Sequence, residues 1–175
     1  EKVKSSDEQG PAVTEDETII GGIVKIIFGT KEAKQYARDN PNTSVYTMRP
    51  NPGNKIPHVN VNQNFGNPWS SKNLTGTIKV DDIDTAVNNY RAWLEGTAHQ
   101  DVAPKRREWI LKQIEEGFFD DKELIYFKDG YTSHADVLAE FIAIDKETTQ
   151  EEVIEPTEEE VIEVDGRKLP KNKKI

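Results

Sequence analysis

His134 and Asp136, in the run SHADVLAEF, have the residue types and the spacing to act on a ligand. An imidazole titrates near neutral pH, so His134 could donate to a phosphate or carboxylate, or serve as acid or base. Asp136 could orient that imidazole or take a sugar hydroxyl, and Ser133 adds a hydroxyl just before the pair. The same three residues also read as an ordinary helix start. Ser with an acid three positions on is a variant of the capping box, and an acidic first turn is favourable in itself. Both readings remain open at this level.

Three further side chains could share a site with them. Arg49 precedes Pro50, and its planar fork suits a bidentate grip on phosphate or carboxylate. A structural pairing with Asp136 or Glu140 would use the same geometry. In FGNPW, Gly66 would let main chain approach a ligand closely, and Asn67 offers an amide to polar edges. Trp69 could stack on a base or sugar, although a ring of that size more often packs in a core.

Other chemistries are excluded or poorly supported. The chain has no cysteine, which removes disulfides, thiolate nucleophiles and Cys-type zinc sites. His58, His99 and His134 do not show a metal-ligand spacing, so neither a metal nor a cofactor is predicted. There is no Walker loop, and the glycines of IIGGIV fall inside a strand pattern rather than after it. The basic cluster PKRREW reads as a solvated helix start. With a net charge of −9, general nucleic-acid binding is disfavoured.

The elements that must position these groups follow from patterning. The 175 residues suit one domain with tails, and the low hydrophobic fraction, 34%, is concentrated at the two ends. Residues 1–18 are predicted to be a disordered polar tail, 19–144 a single α/β domain, and 145–175 an acidic then basic tail. Ile19–Phe28 is predicted as one buried strand, Lys31–Arg38 as a helix and Ser44–Met48 as a strand. Arg49–Thr77, rich in Pro, Gly and Asn, reads as a long loop with room for a hairpin near HVNVN, and loops of that length tend to be functional. Asp82–Glu95 carries the stripe Ile83, Ala86, Val87, Tyr90, Leu94, with Trp93 at its edge, between an Asp cap and Gly96. Pro104–Glu116 and Ser133–Ile144 are further helices, with a short buried strand at Leu124–Phe127 and a turn at Lys128–Thr132 between them. The fold class is therefore α/β, a small sheet flanked by about three main helices. The strand before Ser133 would put His134 beyond a carboxyl strand end, where open α/β sheets bind ligands.

Four ordered stretches resemble a family of small bacterial and phage proteins of unknown function. They are YTMRPNPG (Tyr46–Gly53), FGNPW (Phe65–Trp69), NNYRAWL (Asn88–Leu94) and SHADVLAEFI (Ser133–Ile142). The family pattern has an Arg-Pro step, Gly-Asn-Pro-Phe/Trp, Tyr-x-x-Trp-Leu and Cys-His-x-Asp-Val-Leu-Ala-Glu. The resemblance implies an α/β layer but no defined reaction. The family's cysteines are replaced here by Tyr126, Phe127 and Ser133, so any thiol chemistry would be lost.

The expectation is a domain that binds a small nucleotide-like or phosphorylated ligand, with catalysis by His134 and Asp136 left open. Arg49, Asn67, Trp69 and Ser133 would complete the site. The alternative is a protein-interaction or phage-assembly component, with a partner held through the tails: the repeated Val-Ile pairs of EEVIEPTEEEVIEV could add a strand to another sheet. No apolar run is long enough to cross a membrane and no signal-peptide pattern is present, so a cytoplasmic location, or a virion, is expected. The start at Glu1 fits processing or a beginning inside a longer chain.

Overall fold

The computed structural model describes residues 17–20, 23–28, 30–127, 133–152, 162–164 and 167–169, and side chains over 31–126 and 133–150. The predicted turn at Lys128–Thr132 lies outside these residues, as does most of the two predicted tails.

The first strand signal divides in two. β1 (Glu17–Ile20) and β2 (Ile23–Phe28) pair antiparallel, with Ile20 opposite Ile23. Two glycines between β-branched runs are a tight-hairpin signal, because such turns need positive φ. After α1 (Thr30–Asp39) comes β3 (Ser44–Tyr46), and much later β6 (Glu123–Phe127), which inserts between β2 and β3. The sheet order is thus β1-β2-β6-β3, and β2, β6 and β3 run parallel. Parallel strands point their carboxyl ends the same way, so Thr47–Arg49 after β3 and Ser133 after β6 emerge on one edge. Thr47 prolongs the register, its N–H and Oγ1 both donating to the Ile125 carbonyl at 3.0 and 2.8 Å.

The long loop is anchored rather than free. Phe65 is fully buried and packs on Trp109 and Phe119, with centroids 4.8 and 5.0 Å away. Met48, Ile56, Val59 and Trp69 are buried as well. The expected hairpin reduces to a single bridge between Ile56 and Val59. The loop also holds a pairing that patterning did not reveal: β4 (Trp69–Ser70) lies parallel to β5 (Ile78–Lys79).

Helix α2 (Ile83–Glu95) begins and ends as its caps require. Asp82 accepts from the Thr85 N–H at 2.6 Å, and Gly96 closes the helix at φ 77°, a left-handed conformation that strains other residues. Trp93, expected at the edge of the stripe, is fully buried; its Nε1–H donates to the Val102 carbonyl at 2.7 Å. α3 (Pro104–Glu115) follows, and Arg107 turns back to donate to the Trp93 and Leu94 carbonyls. The last long helix, α4 (His134–Glu152), runs past the predicted end at Ile144. Thr148 and Thr149 donate back to the Ile144 and Asp145 carbonyls along this polar extension. Farther on, β7 (Ile162–Val164) pairs antiparallel with β8 (Arg167–Leu169), placing Glu163 opposite Lys168. Ile162 of the second Val-Ile pair therefore stands opposite Leu169 in the basic segment of its own chain, while Val161 and the first pair, Val153-Ile154, lie outside the described residues.

This is a small α/β domain in which a four-stranded sheet is flanked by four helices. α1 lies against β6 and β3, and α4 lies against β1, β2 and β6. Among the described residues no helix is long and apolar enough to cross a membrane.

Candidate functional site

A cleft of about 280 Å³ opens beyond the carboxyl ends of β3 and β6. Its walls come from Met48, Arg49 and Asn51 after β3; Gly66, Asn67 and Trp69 from the anchored loop; and Ser70, Leu74 and Thr77 around the β4–β5 pair. Tyr126 from β6 and Ser133 and His134 from the start of α4 close it. Five of the six residues singled out in the sequence therefore line one cleft. The sixth, Asp136, does not.

Arg49 is half-buried, and its Nη1 donates to the Gly76 carbonyl at 2.8 Å. Neither anticipated carboxylate pairs with it. Glu140 takes Arg91 at 2.5 Å, and Asp136 Oδ2 accepts from the Ser133 N–H at 2.7 Å. No ion pair among the described residues involves Arg49. Partial burial holds its pKa below the ordinary arginine value. Gly66 is what lets the loop pass so close: a Cβ there would lie 2.1 Å from Arg49 Cγ and 2.7 Å from Arg49 N.

A second arginine stands behind the loop. Arg106 reaches Asn64 Oδ1 from Nη1 at 3.2 Å and lies over the Trp93 ring at 5.6 Å. Its Nε is buried without a partner. Burial lowers its pKa, Tyr90 raises it, and the nearby positive charge of Arg49 lowers it further. This part of an acidic protein is locally cationic, and among the described residues no Asp or Glu lines the cleft.

His134 is positioned by the fold. Its Nε2 is 2.8 Å from the Thr47 carbonyl, and its ring meets Tyr90 edge-on at 5.3 Å. A carbonyl only accepts, so Nε2 must carry the proton in this bond. Tyr90 is fully buried and donates to the Phe65 carbonyl at 2.8 Å, tying the loop to α2.

Asn67 and Trp69 are used differently from the sequence expectation. Asn67 Nδ2 donates to the Ala86 carbonyl at 2.9 Å, and its Oδ1 accepts from the Trp69 N–H at 2.9 Å. The amide thus fastens the loop to α2. Trp69 is 4% exposed and packs against Trp93 and His99, so it presents no open face for stacking. Asp136, also buried, serves the helix start: its carboxylate takes the Ser133 N–H, the reciprocal half of a capping box.

Sequence reasoning missed Tyr126 and Gly76. Tyr126 carried a usable signal, because it stands near a strand's carboxyl end; the role of Gly76 depends on a carbonyl and leaves none. A larger hollow of about 390 Å³, between the end of α3 and the outer turns of α4, includes Asp120, Asp121, Asp145 and Lys146. Lys146 there pairs with Asp120 at 3.1 Å, and the remaining lining charge is acidic, from Glu115, Asp121 and Asp145. Among the described residues no group of three or more His, Asp or Glu could hold a metal ion.

No family model matches the chain, and no curated protein or solved structure matches it either. The motif resemblance stands on its residues alone.

Proposed function

We propose that this domain binds a small anionic ligand, of the phosphorylated or nucleotide-like kind, in the cleft between β3, β6 and α4. The observation that carries the reading is Arg49, a half-buried cation with no carboxylate partner and no acidic cleft-lining neighbour among the described residues. A partly desolvated charge is costly unless paired, and a ligand anion would complete it. The N-terminus of α4 adds a favourable partial charge on the same side. Binding is the activity proposed; the Nε2–H of His134 donates to the Thr47 carbonyl and holds the ring at the cleft. A cytoplasmic setting, bacterial or phage-infected, is where such a ligand would be met.

Calorimetric titration of the protein against a panel of nucleotides and sugar phosphates tests the proposal. Saturable binding is expected, weakened at least about tenfold by Arg49→Ala, the scale of one charged hydrogen-bonded contact. Silence across the panel, or affinity indifferent to Arg49→Ala, would remove the basis for the reading.

A further inference from the structure

We infer that the ligand of this cleft joins its anionic head to a short aliphatic body, a small alkyl phosphate in kind, and that Leu74 receives that body. This rests on the anion-site reading above and narrows its ligand class. The deciding observation is that the charge and the apolar surface meet at one turn. Arg49 Nη1 donates to the Gly76 carbonyl at 2.8 Å, and Gly76 stands between Leu74 and Thr77, both of which line the cleft. The guanidinium is thereby fixed against the turn that carries Leu74.

Leu74 is 47% exposed. A scattered surface leucine needs no explanation, but one that walls a cleft beside a cation offers apolar area for a ligand to cover. The turn holds its backbone in place. The Leu74 carbonyl accepts from the Thr77 N–H at 3.2 Å and from Thr77 Oγ1 at 2.7 Å, and the Leu74 N–H donates to the Lys72 carbonyl at 3.0 Å. Met48, a flexible thioether that adapts to what it meets, lines the same cleft.

The polar lining argues against a sugar or a nucleobase. The Asn67 amide is bonded at both ends, and Ser70 Oγ accepts from the Lys72 N–H at 3.0 Å. The Thr77 hydroxyl donates to Leu74, and the Nε2–H of His134 donates to Thr47. Ser133 Oγ is sealed from solvent and out of a ligand's reach. Asn51 is exposed, so water already serves its amide. Sugar hydroxyls or ring nitrogens drawn out of water here would lose hydrogen bonds without replacement, whereas methylenes lose none. Trp69 and Tyr126 are 4% and 5% exposed, so neither offers a ring face for stacking. At about 280 Å³ the space falls just under the roughly 300–1,000 Å³ of pockets for drug-sized ligands, which keeps the body short.

The test titrates the full chain with inorganic phosphate, methyl, propyl and butyl phosphate, a hexose monophosphate and a nucleoside monophosphate. Affinity is expected to rise about three- to fourfold with each methylene that enters the cleft, the gain from burying one CH₂. The hexose phosphate and the nucleotide are expected to bind no tighter than methyl phosphate. Leu74→Ser is expected to flatten the alkyl series toward inorganic phosphate, with the melting temperature unchanged because the side chain is nearly half exposed. A series that is flat in the parent, or that rises equally in Leu74→Ser, would overturn the inference and leave the anion site standing. So would a loss in Leu74→Ser as large for inorganic phosphate as for butyl phosphate, or a sugar phosphate or nucleotide bound more tightly than butyl phosphate. Silence with every probe, or affinities untouched by Arg49→Ala, would overturn the anion reading together with it.

Discussion

Arg91 and Arg49 show two ways of holding the same charge. Arg91 bridges α2 to α4 through Glu140 at 2.5 Å, with both side chains more than a third exposed. Its hydrogen bond with Glu140 pushes its pKa up. Among the described residues Arg49, at the cleft, bonds only the Gly76 carbonyl, and burial pushes its pKa down. The first charge arrives with its counter-ion. The second has no counter-ion among the described residues, and in the proposed function a ligand anion would supply the missing charge.

The harshest way to break this contrast is Gly66→Ala. The new methyl would overlap Arg49 Cγ and press on Arg49 N, which is main chain and cannot swing aside. Overpacking of this kind is expected to cost about 1–3 kcal/mol in denaturant unfolding and to abolish anion binding by displacing the guanidinium. An unchanged unfolding midpoint would mean the loop does not pass so close. Arg49→Ala separates stability from function: an affinity loss of about 2 kcal/mol in titration is expected, with stability within about 0.5 kcal/mol of the parent. Arg49→Lys should recover only part of the affinity, since the charge returns without the fork.

The contacts that build the cleft were harder to read in the sequence than the residues that line it. Arg49, Ser133 and His134 were legible because their types and their neighbours, a proline or a helix start, speak locally. Asn67 and Trp69 were assigned to a ligand because their true partners, the Ala86 carbonyl and the Trp93 ring, lie far away in sequence. The fold divides along the same line. The caps of α2 at Asp82 and Gly96 are local chemistry and were legible. The antiparallel pairing of β1 with β2 was hidden because their apolar residues read as one continuous strand. The outer turns of α4 looked like tail because KETTQEE has no apolar stripe, yet Lys, Gln and Glu are good helix formers and continue a helix already nucleated on the core. The β4–β5 pair, two residues per strand, leaves no periodicity to detect.

Beneath the cleft, Tyr90 and Tyr46 extend the comparison to neutral groups. Tyr90→Phe removes the donor to the Phe65 carbonyl and leaves that buried oxygen unpaired, at an expected cost of about 1–2 kcal/mol in unfolding free energy. Burial raises the Tyr46 phenol from its ordinary 10.0 to about 12, and raises Tyr90 as well. Folded pKa values above the unfolded ones mean that the folded state disfavours the phenolate. Stability from this source should be intact below pH 10 and fall as pH rises from 10 toward 12. Phenolate absorbance followed alongside circular dichroism checks it: these two rings should ionise together with unfolding. Smooth ionisation of all the tyrosines in a still-folded protein would contradict it.

The smallest effect belongs to the pair that looks strongest on distance alone. Arg91 and Glu140 meet at 2.5 Å, but water reaches both, and screening leaves exposed pairs worth about 0.2–1 kcal/mol. A double-mutant cycle of Arg91→Ala and Glu140→Gln should return a coupling of about 0.5 kcal/mol that shrinks in high salt, since the Debye length falls to about 3 Å at 1 M. Neither variant should change phosphate affinity at the cleft. A coupling well above 1 kcal/mol that persists in salt would mean that this pair is held as tightly as a buried one, and exposure would no longer explain why it differs from Arg49. Dependence of phosphate binding on Glu140 would go further. It would make Arg91 and Arg49 members of one electrostatic network, and the absence of a carboxylate beside Arg49 would cease to mark a ligand.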